Sequence, residues 1–373
     1  MTDISCTFRE AVFDDCVEAT ALLAALGLDM PEGDLAARAH WRRFWQDNPA
    51  FIEGRTKPSP GWLLEDDGRM VGFFGNVPLL YYFGEHPVVV ADASQWGVEM
   101  PYRSDVGLLA DAYFGQANAD MLLVTTGIKP TGRIFERYGA SRIPQSDYDQ
   151  ILYWITDAPG FLKAAVRKKG YGPGISSLAA LAGGLPLAML KGGRPTGGVA
   201  NIDLVGVTDI DDSFDDLWQR KVGEMERLLA CRTAKCMRWH FDAPGIGGRT
   251  KFLIAKKDGR LDGYAAVMRE DQPDIGLKRL KIVDLFVDND DAAIVSGLLT
   301  EAHALARSEG CHVLEMIGLP SALRQIVLAH NPLMRSMPTW PLYYKALNSD
   351  FAAPLANPES WYITPIDGDT ALA

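Results

Sequence analysis

The stretch from Gln95 to Ala140 reads QWGVEMPYRSDVGLLADAYFGQANADMLLVTTGIKPTGRIFERYGA, and the fold of the chain is decided by it. It predicts a strand ending at Val98, a polar turn, a helix, a buried strand and a second helix. Pro101 cannot continue the first strand, because its nitrogen carries no proton, and the Ser and Asp that follow favour helix N-caps. A helix start leaves backbone N–H groups unpaired and is electropositive, so the turn is a candidate phosphate site.

Four features follow one another in this stretch. They are Val98-x-x-Pro101-Tyr102-Arg103-Ser104, a glycine-bearing helix, a buried strand and Glu136-Arg137-Tyr138-Gly139-Ala140. This order resembles the acyl-CoA site of the GCN5-related N-acetyltransferases. The resemblance implies an α/β fold with a mixed α+β sheet, and acetyl-CoA or another acyl-CoA as co-substrate. It also implies that the pyrophosphate rests on the turn, while the pantetheine runs beside the strand that precedes it.

The resemblance assigns the cofactor to eight residues around the turn. The cofactor-binding residues that it implies are Val98, Met100, Arg103, Ser104, Asp105, Val106, Gly107 and Leu108. The family's turn usually carries a glycine and then a second glycine or an alanine. Here Gly107 is the only glycine and stands out of step, and Asp105 adds a negative charge near the expected phosphates.

Acyl transfer from a thioester needs a base for the amine and a proton for the departing thiolate. The resemblance implies a carboxylate base on the strand, where Asp92 and Glu99 are the candidates. They lie an odd number of residues apart, so only one faces the acceptor unless a bulge intervenes. The family's usual tyrosine position is occupied by Phe135, which leaves Tyr138 as the nearby candidate acid. A solvated strand end is the structural alternative for each carboxylate.

Composition limits the classes of function. A chain of 373 residues suggests two domains or one large one, and a net charge of −11 argues against non-specific nucleic-acid binding. Five cysteines without a framework spacing, and a start without signal-peptide features, predict a cytoplasmic protein. Cys231, Cys236 and His240 lack a clear fourth ligand, so we predict no metal site.

Short sequence motifs of the first half (the repeated words) recur in the same order in the second half of the chain. Gly54-Arg55-Thr56-Lys57 recurs as residues 248–251, Asp67-Gly68-Arg69 as residues 258–260, and Gly107-Leu108-Leu109 as residues 297–299. Several matches at a nearly constant offset predict an internal duplication. We therefore predict two tandem acyl-CoA N-acyltransferase folds. The predicted boundaries are 1–156 for the first domain, 157–200 for a bridge, 201–350 for the second domain and 351–373 for a tail.

The two predicted phosphate turns differ in charge. Val287-Asp288-Asn289-Asp290-Asp291 stands in the second half where the first has Pro101 to Asp105. Carboxylates at this place suit the helix dipole but repel a pyrophosphate. The sequence therefore predicts a CoA site in the first half alone, with an acceptor cleft between the halves.

The bridge is basic at its ends and apolar in the middle. Residues 159–199 contain six Lys or Arg and no acidic residue, and 171–190 carry no charge. Glycines and prolines interrupt the apolar run, which argues against a transmembrane helix. A pair of short bridging helices and a peripheral membrane contact both remain open for this segment. The tail after Pro354 is predicted to be loosely held.

Three functions remain open. The first is transfer of an acyl group, with acetyl expected, from acyl-CoA to an amine of a small molecule or of a sugar or polysaccharide precursor. The second is a Fem-type transferase, which would use an aminoacyl donor or a lipid-linked precursor. The third is a catalytically degenerate copy of the fold that acts as a binding or scaffold protein.

Overall fold

The computed structural model describes residues 6–51, 57–125, 129–145, 147–170, 193–198, 201–243, 245–337 and 342–368. Two mixed sheets with helices packed against them account for these residues, which confirms the predicted α/β class. In the first half the helices and strands are β1 (Thr7–Glu10), α1 (Cys16–Ala25), α2 (Asp34–Trp45), β2 (Gly61–Asp66), β3 (Arg69–Phe83), β4 (His86–Val98), α3 (Val106–Gly115), β5 (Met121–Val124), α4 (Lys129–Arg137), β6 (Ser141–Arg142), β7 (Gln150–Ile155) and α5 (Ala158–Lys168).

The second half begins with a strand and repeats the alternation of strands and helices. Its elements are β8 (Asn201–Val205), α6 (Ser213–Glu224), β9 (Leu228–Ala230), α7 (Ala234–Phe241), β10 (Thr250–Lys257), β11 (Arg260–Arg269), β12 (Arg279–Val287), α8 (Ala292–Ser308), β13 (Val313–Ile317), α9 (Ser321–Leu328), β14 (Leu333–Ser336), β15 (Tyr343–Ala346), α10 (Ser349–Ala352) and β16 (Trp361–Tyr362).

The two sheets have the same strand order. The first runs β1-β2-β3-β4-β5-β15-β6 and the second β8-β10-β11-β12-β13-β7-β14. Along this order, the first sheet has one parallel pair, β4–β5, and the second has one, β12–β13. The other neighbours in the two orders are antiparallel. The repeated Asp-Gly words form matching hairpin turns, in which Asp67 and Asp258 have φ of 49° and 53°. The chain therefore contains the same fold twice, as the repeated words predict.

The halves exchange one strand each. β7 pairs with β13 and β14 in the second sheet, while β15 pairs with β5 and β6 in the first. The predicted boundaries at residues 156 and 350 thus leave each exchanged strand with the wrong sheet. The reason is physical: an apolar run such as QILYWI specifies a strand, but not the strand to which it hydrogen-bonds.

The described part of the tail is an integral part of the core, which corrects the expectation of a loose end. Leu355, Trp361, Tyr362 and Ile363 are buried, and β16 pairs in parallel with β9. Through β9, which pairs with the far end of β3, the tail joins the first sheet. Aromatic burial offsets the entropy of ordering this segment.

The bridge is described only in part. Helix α5 covers its beginning, and residues 171–192 lie outside the described residues, as do 199–200. Within the described residues, we find no helix that is long and apolar enough to cross a membrane.

Candidate active site

The first sheet opens into a fork between β4 and β5. The two strands pair only from Val90 to Asp92, opposite Met121 to Leu123. Beyond that point β4 continues to Val98 along β3, with a bulge at Gln95, whose φ is 57°. A bulge turns a strand away from its neighbour. A groove with strand backbone on one side therefore begins immediately after Asp92.

Helix α3 joins the two strands of the fork through the hydroxyl of Tyr113. The sequence pattern identifies this residue only as part of an apolar stripe. The Tyr113 hydroxyl lies 2.9 Å from the Ala91 carbonyl oxygen and 2.8 Å from the Leu123 carbonyl oxygen. Its single proton therefore bridges the two strands where their pairing ends. In α8 the matching position, six residues after the repeated glycine, is His303.

Asp92 stands at the apex of this fork. Its side chain is fully buried and lies on the sheet face of Val88 and Val90, which pack against the aromatic residues of α2. Its charge acts on the buried Tyr81, where burial first, and then Asp367 and Asp92, raise the pKa well above its usual value. Position and burial make Asp92 the stronger of the two candidate bases.

Glu99 is placed differently. Its two carboxylate oxygens accept from the Arg69 guanidinium at 2.5 and 3.0 Å, on the outer edge of the β2–β3 hairpin. This hydrogen bonding lowers the pKa of Glu99, which makes it a poorer proton acceptor. The bulge at Gln95 does not bring the two carboxylates together.

Two polar side chains follow Asp92 toward the α1–α2 layer. Ser94 is buried, and the Gln95 amide nitrogen lies 3.1 Å from Nε2 of His40 on α2. Burial lowers the pKa of His40 to about 4, with the charge of Arg43 acting in the same direction. His40 is therefore neutral at physiological pH and can accept this amide proton. Sequence spacing alone could not identify His40 as part of this group.

The predicted phosphate turn is a short 3₁₀ helix over Met100–Asp105 that leads directly into α3. Pro101 stands in its first turn, where the fixed φ of proline favours a helix. Helical geometry thus begins before Ser104, earlier than predicted. Arg103, Ser104, Gly107 and Leu108 are exposed, and the Asp105 side chain makes no capping hydrogen bond. These four residues form part of the solvent-exposed surface of the turn.

The acid candidates lie on the α3–α4 layer. The Tyr138 hydroxyl donates to Asp111 at 2.5 Å, which raises the pKa of Tyr138 to about 12, and Asp111 is exposed on the outer side of α3. Phe135 is buried with its ring centroid 5.7 Å from that of Tyr343, a residue of the exchanged strand β15. The Tyr343 hydroxyl lies against Gly132 of α4. Tyr343 was missed because β15 is distant in sequence.

The corresponding fork of the second half is filled. Pairing of β12 with β13 ends at Ile282, and the Ile366 amide of the tail donates to the next carbonyl, that of Val283, at 3.2 Å. The Asp291 carboxylate caps α8 by accepting from the amides of Ala293 and Ile294 at 2.8 and 3.2 Å. The helix start that would receive a phosphate is therefore occupied by the protein's own atoms.

The acidic turn of the second half is also neutralised by neighbouring cations. Asp288 pairs with Arg220 at 3.0 Å, and Asp290 pairs with Lys221 at 2.6 Å. The negative charge used in the sequence-based prediction is therefore paired with cations, and the capped start of α8 is the remaining feature that disfavours a phosphate there.

The tail that fills this fork is held by a buried ion cluster. The Arg232 guanidinium donates to Asp284 on β12 at 3.0 Å and to Asp367 of the tail at 2.9 Å, and all three side chains are fully buried. Thr364 and Tyr264 complete the cluster by donating to Asp284 at 2.8 and 2.6 Å. We call this group the Arg232 cluster. No local sequence signal identifies it, because its members come from four distant segments.

A narrow cavity of about 40 Å³ lies between the halves. Asn48 and Tyr81 line it from the first half, and Cys231, Cys236 and His240 line it from the second. It has room for about three water molecules. A cavity therefore lies between the halves, where the acceptor cleft is expected, but it is too small for an acceptor molecule, and the cleft stays a prediction. Among the described residues we find no cluster of metal-ligating side chains.

Comparison with known proteins agrees with the geometry. No family model and no curated protein matches the sequence. Among solved structures, the chain is similar to a conserved protein of unknown function from Enterococcus faecalis V583, described as a probable N-acyltransferase. The identity is 9% and the TM-score 0.59, over 92% of this chain and 73% of that one.

Two further solved structures are GCN5-related N-acetyltransferases. The one from Anabaena variabilis is 12% identical with a TM-score of 0.57, over 92% of this chain and 73% of that one. The one from Kribbella flavida is 11% identical with a TM-score of 0.53, over 94% and 72%. The chain therefore has the GCN5-related N-acetyltransferase fold, in two tandem copies.

Proposed function

We propose that the first half binds an acyl-CoA in the β4–β5 fork and transfers its acyl group to an amine. The observation that carries this proposal is the end of the β4–β5 pairing at Asp92, together with a helix start in the same half that has no side-chain cap. Arg103 and the amides from Ser104 to Leu108 are the proposed pyrophosphate contacts. The backbone of Val98 and Met100 is the proposed partner of the pantetheine.

The chemistry requires three events in the fork. Asp92 takes a proton from the incoming ammonium, directly or through water, so that the amine nitrogen can attack the thioester carbonyl carbon. A backbone N–H of β4 beyond Asp92 donates to the carbonyl oxygen as negative charge develops on it. The nitrogen loses its second proton to solvent as the carbon–sulfur bond breaks, and the CoA thiolate takes a proton from solvent or from a nearby hydroxyl.

The acceptor is proposed to approach from the α1–α2 side, where Ser94, Gln95 and His40 offer hydrogen bonds. Acetyl is the proposed acyl group, and a small-molecule amine or a glycan-precursor amine is the proposed acceptor. The protein is proposed to be cytoplasmic and to bind no nucleic acid.

Calorimetry with acetyl-CoA tests this proposal. We expect one binding site per chain, weakened by Arg103→Ala and unchanged by Arg220→Ala, which alters the acidic turn of the second half. Two sites per chain, or no binding, contradict the proposal. No binding would instead support the scaffold function or the Fem-type function with another donor.

Peripheral membrane contact through residues 159–199 is a separate proposal that rests on their charge pattern. Flotation with vesicles of neutral and of anionic lipid tests it. Binding to anionic vesicles that is lost when the six basic residues are replaced by Gln supports the contact. Equal recovery in the unbound fraction with both vesicles contradicts it.

A further inference from the structure

Two cysteines face each other at the cavity between the halves. The segment Cys231-Arg232-Thr233-Ala234-Lys235-Cys236 joins β9 to the first turn of α7. The two Sγ atoms lie 2.9 Å apart, and both residues line the cavity. A disulfide bond is about 2.05 Å long, so less than 1 Å of approach separates the pair from a covalent bond.

The surroundings of the two thiols differ. In thiol–disulfide exchange, one cysteine of a pair attacks the incoming disulfide, and the other then displaces the bound half of it. Hydrogen bonding from Cys236, and then from Thr233, lowers the pKa of Cys231 to about 7. The same hydrogen bond, together with burial, raises the pKa of Cys236. A thiol whose pKa is near the ambient pH is the best attacking group in thiol–disulfide exchange.

The other cysteines lack this environment. Burial raises the pKa of both Cys6 and Cys311 to about 11, and Cys16 is buried with a raised pKa. These three serve as internal controls within the same chain, because their thiols remain protonated at neutral pH.

We propose that Cys231 and Cys236 form a thiol–disulfide exchange site, at which a small-molecule disulfide oxidises the pair to an intramolecular disulfide. The Cys231 thiolate attacks one sulfur of the small disulfide, forms a mixed disulfide and releases the other half as a thiolate. The Cys236 sulfur then attacks Sγ of Cys231, and the second half leaves as a thiolate. The Cys236 proton goes to one departing thiolate and a solvent proton to the other. Two electrons have passed from the protein pair to the small disulfide.

The bond would join two parts of the molecule that belong to different sheets. The Cys231 amide donates to the Leu80 carbonyl of β3 at 2.8 Å, so Cys231 is anchored to the first sheet. Cys236 lies in the first turn of α7, which packs in the core of the second half. The ring of residues 231–236 that this disulfide would close contains Arg232, the central residue of the Arg232 cluster. The pair therefore lies where the two halves and the tail meet.

Equilibration of the full chain with mixtures of reduced and oxidised glutathione tests the proposal. After an acid quench and alkylation, mass spectrometry of peptides should show a Cys231–Cys236 disulfide that accumulates as the oxidised share rises. Cys6, Cys16 and Cys311 should remain alkylated. The Cys236→Ser variant should accumulate a glutathione adduct at Cys231, and Cys311→Ser should behave as the wild type.

A second measurement needs no substitution. The initial rate of Cys231 alkylation by iodoacetamide should rise with a midpoint near pH 7, as its thiolate forms. The proposal is overturned if the pair stays reduced when the glutathione pool is fully oxidised. It is equally overturned if folded Cys236→Ser traps no adduct, or if Cys6 and Cys311 react as fast as Cys231. No acyl-CoA enters these experiments, so they stand apart from the acyltransferase proposal.

Discussion

The two forks of this molecule are built from the same strand order and differ in their polar contacts. In the first half, Asp92 occupies the end of the β4–β5 pairing, and α3 begins without a side-chain cap. In the second, the tail hydrogen-bonds to the edge of β12, and Asp291 caps α8. In the second half, therefore, both the edge of β12 and the start of α8 have hydrogen-bond partners from the chain.

The difference shows how a duplicated fold can retain one site without changing its architecture. The backbone that forms the fork is common to both copies, so the fork itself does not distinguish them. The described contacts distinguish them at the helix start, where Asp291 caps α8 and Asp105 makes no capping bond to α3. The capped start gains stability from these hydrogen bonds.

The largest effect is expected from the apex of the first fork. Asp92→Asn removes the proposed base, and kcat should fall by about 10²–10⁴ while KM for acyl-CoA changes little. Steady-state kinetics with saturating acceptor measures this. Glu99→Gln is the matched control and should leave kcat nearly unchanged, because Glu99 is held in an exposed ion pair with Arg69. An equal loss in both variants would remove the distinction between the two carboxylates.

The second prediction concerns what fills the other fork. Arg232→Met leaves Asp284 and Asp367 buried without their cation, so the free energy of unfolding should fall by about 3–5 kcal/mol. Arg9→Met, which breaks partly exposed ion pairs in the first half, should cost about 1 kcal/mol or less. Urea unfolding of both variants checks this contrast, and similar losses would contradict it.

The third prediction uses pH. Burial, assisted by the charges of Arg43 and Arg232, lowers the pKa of His240 to about 3, against about 6.5 in an unfolded chain. Below pH 6.5 the unfolded chain therefore binds a proton that the folded chain does not. This contribution to stability is complete above pH 6.5 and is lost as the pH falls, by about 2 kcal/mol between pH 7 and pH 5.

The His240→Gln variant should lose this share of the pH dependence. The measurement is the free energy of unfolding at pH 7 and at pH 5, and the compared quantity is the change between them. His40→Gln in the first half should remove a nearly equal share over this interval, because a pKa lowered to about 4 also keeps His40 mostly neutral at pH 5. An unchanged slope in His240→Gln would show that this histidine is protonated in the folded protein.

The smallest effect is expected at the N-terminal ends of α3 and α8, which the fourth prediction compares. Asp291→Ala removes two capping hydrogen bonds and should lower the free energy of unfolding by about 1 kcal/mol. Asp105→Ala removes no such bond, so stability should be nearly unchanged. It should also lower KM for acyl-CoA, because a negative charge leaves the proposed phosphate turn. A large stability loss in Asp105→Ala would contradict the description of the first helix start as open.

Much of the fork could be predicted from local sequence. Strand β4 ends at Val98, as Pro101 predicts, and a helix follows the turn, although a 3₁₀ helix over Met100–Asp105 starts it earlier than predicted. The repeated words correctly indicated two copies of one fold, and the differing turns correctly indicated that the copies had diverged. These features depend on backbone preferences within a few residues, which composition and spacing reveal.

The features that were not predicted all depend on distant partners. The ion pair that lowers the pKa of Glu99 involves Arg69, at the start of the neighbouring strand β3. The exchanged strands satisfy the same apolar pattern in either sheet, and the buried tail contains only a short aromatic run. Hydrogen-bond partners across such distances are selected by tertiary packing, for which a single sequence carries no readable signal.

The strand exchange has a consequence for how the protein is made. As the chain emerges from the ribosome, the first sheet lacks a strand between β5 and β6 until β15 has been synthesised, more than two hundred residues after β5. Until then, the backbone edges of both neighbours are exposed and can pair with other chains. Either half expressed alone would therefore lack one strand of its sheet, and we expect the two halves to fold together.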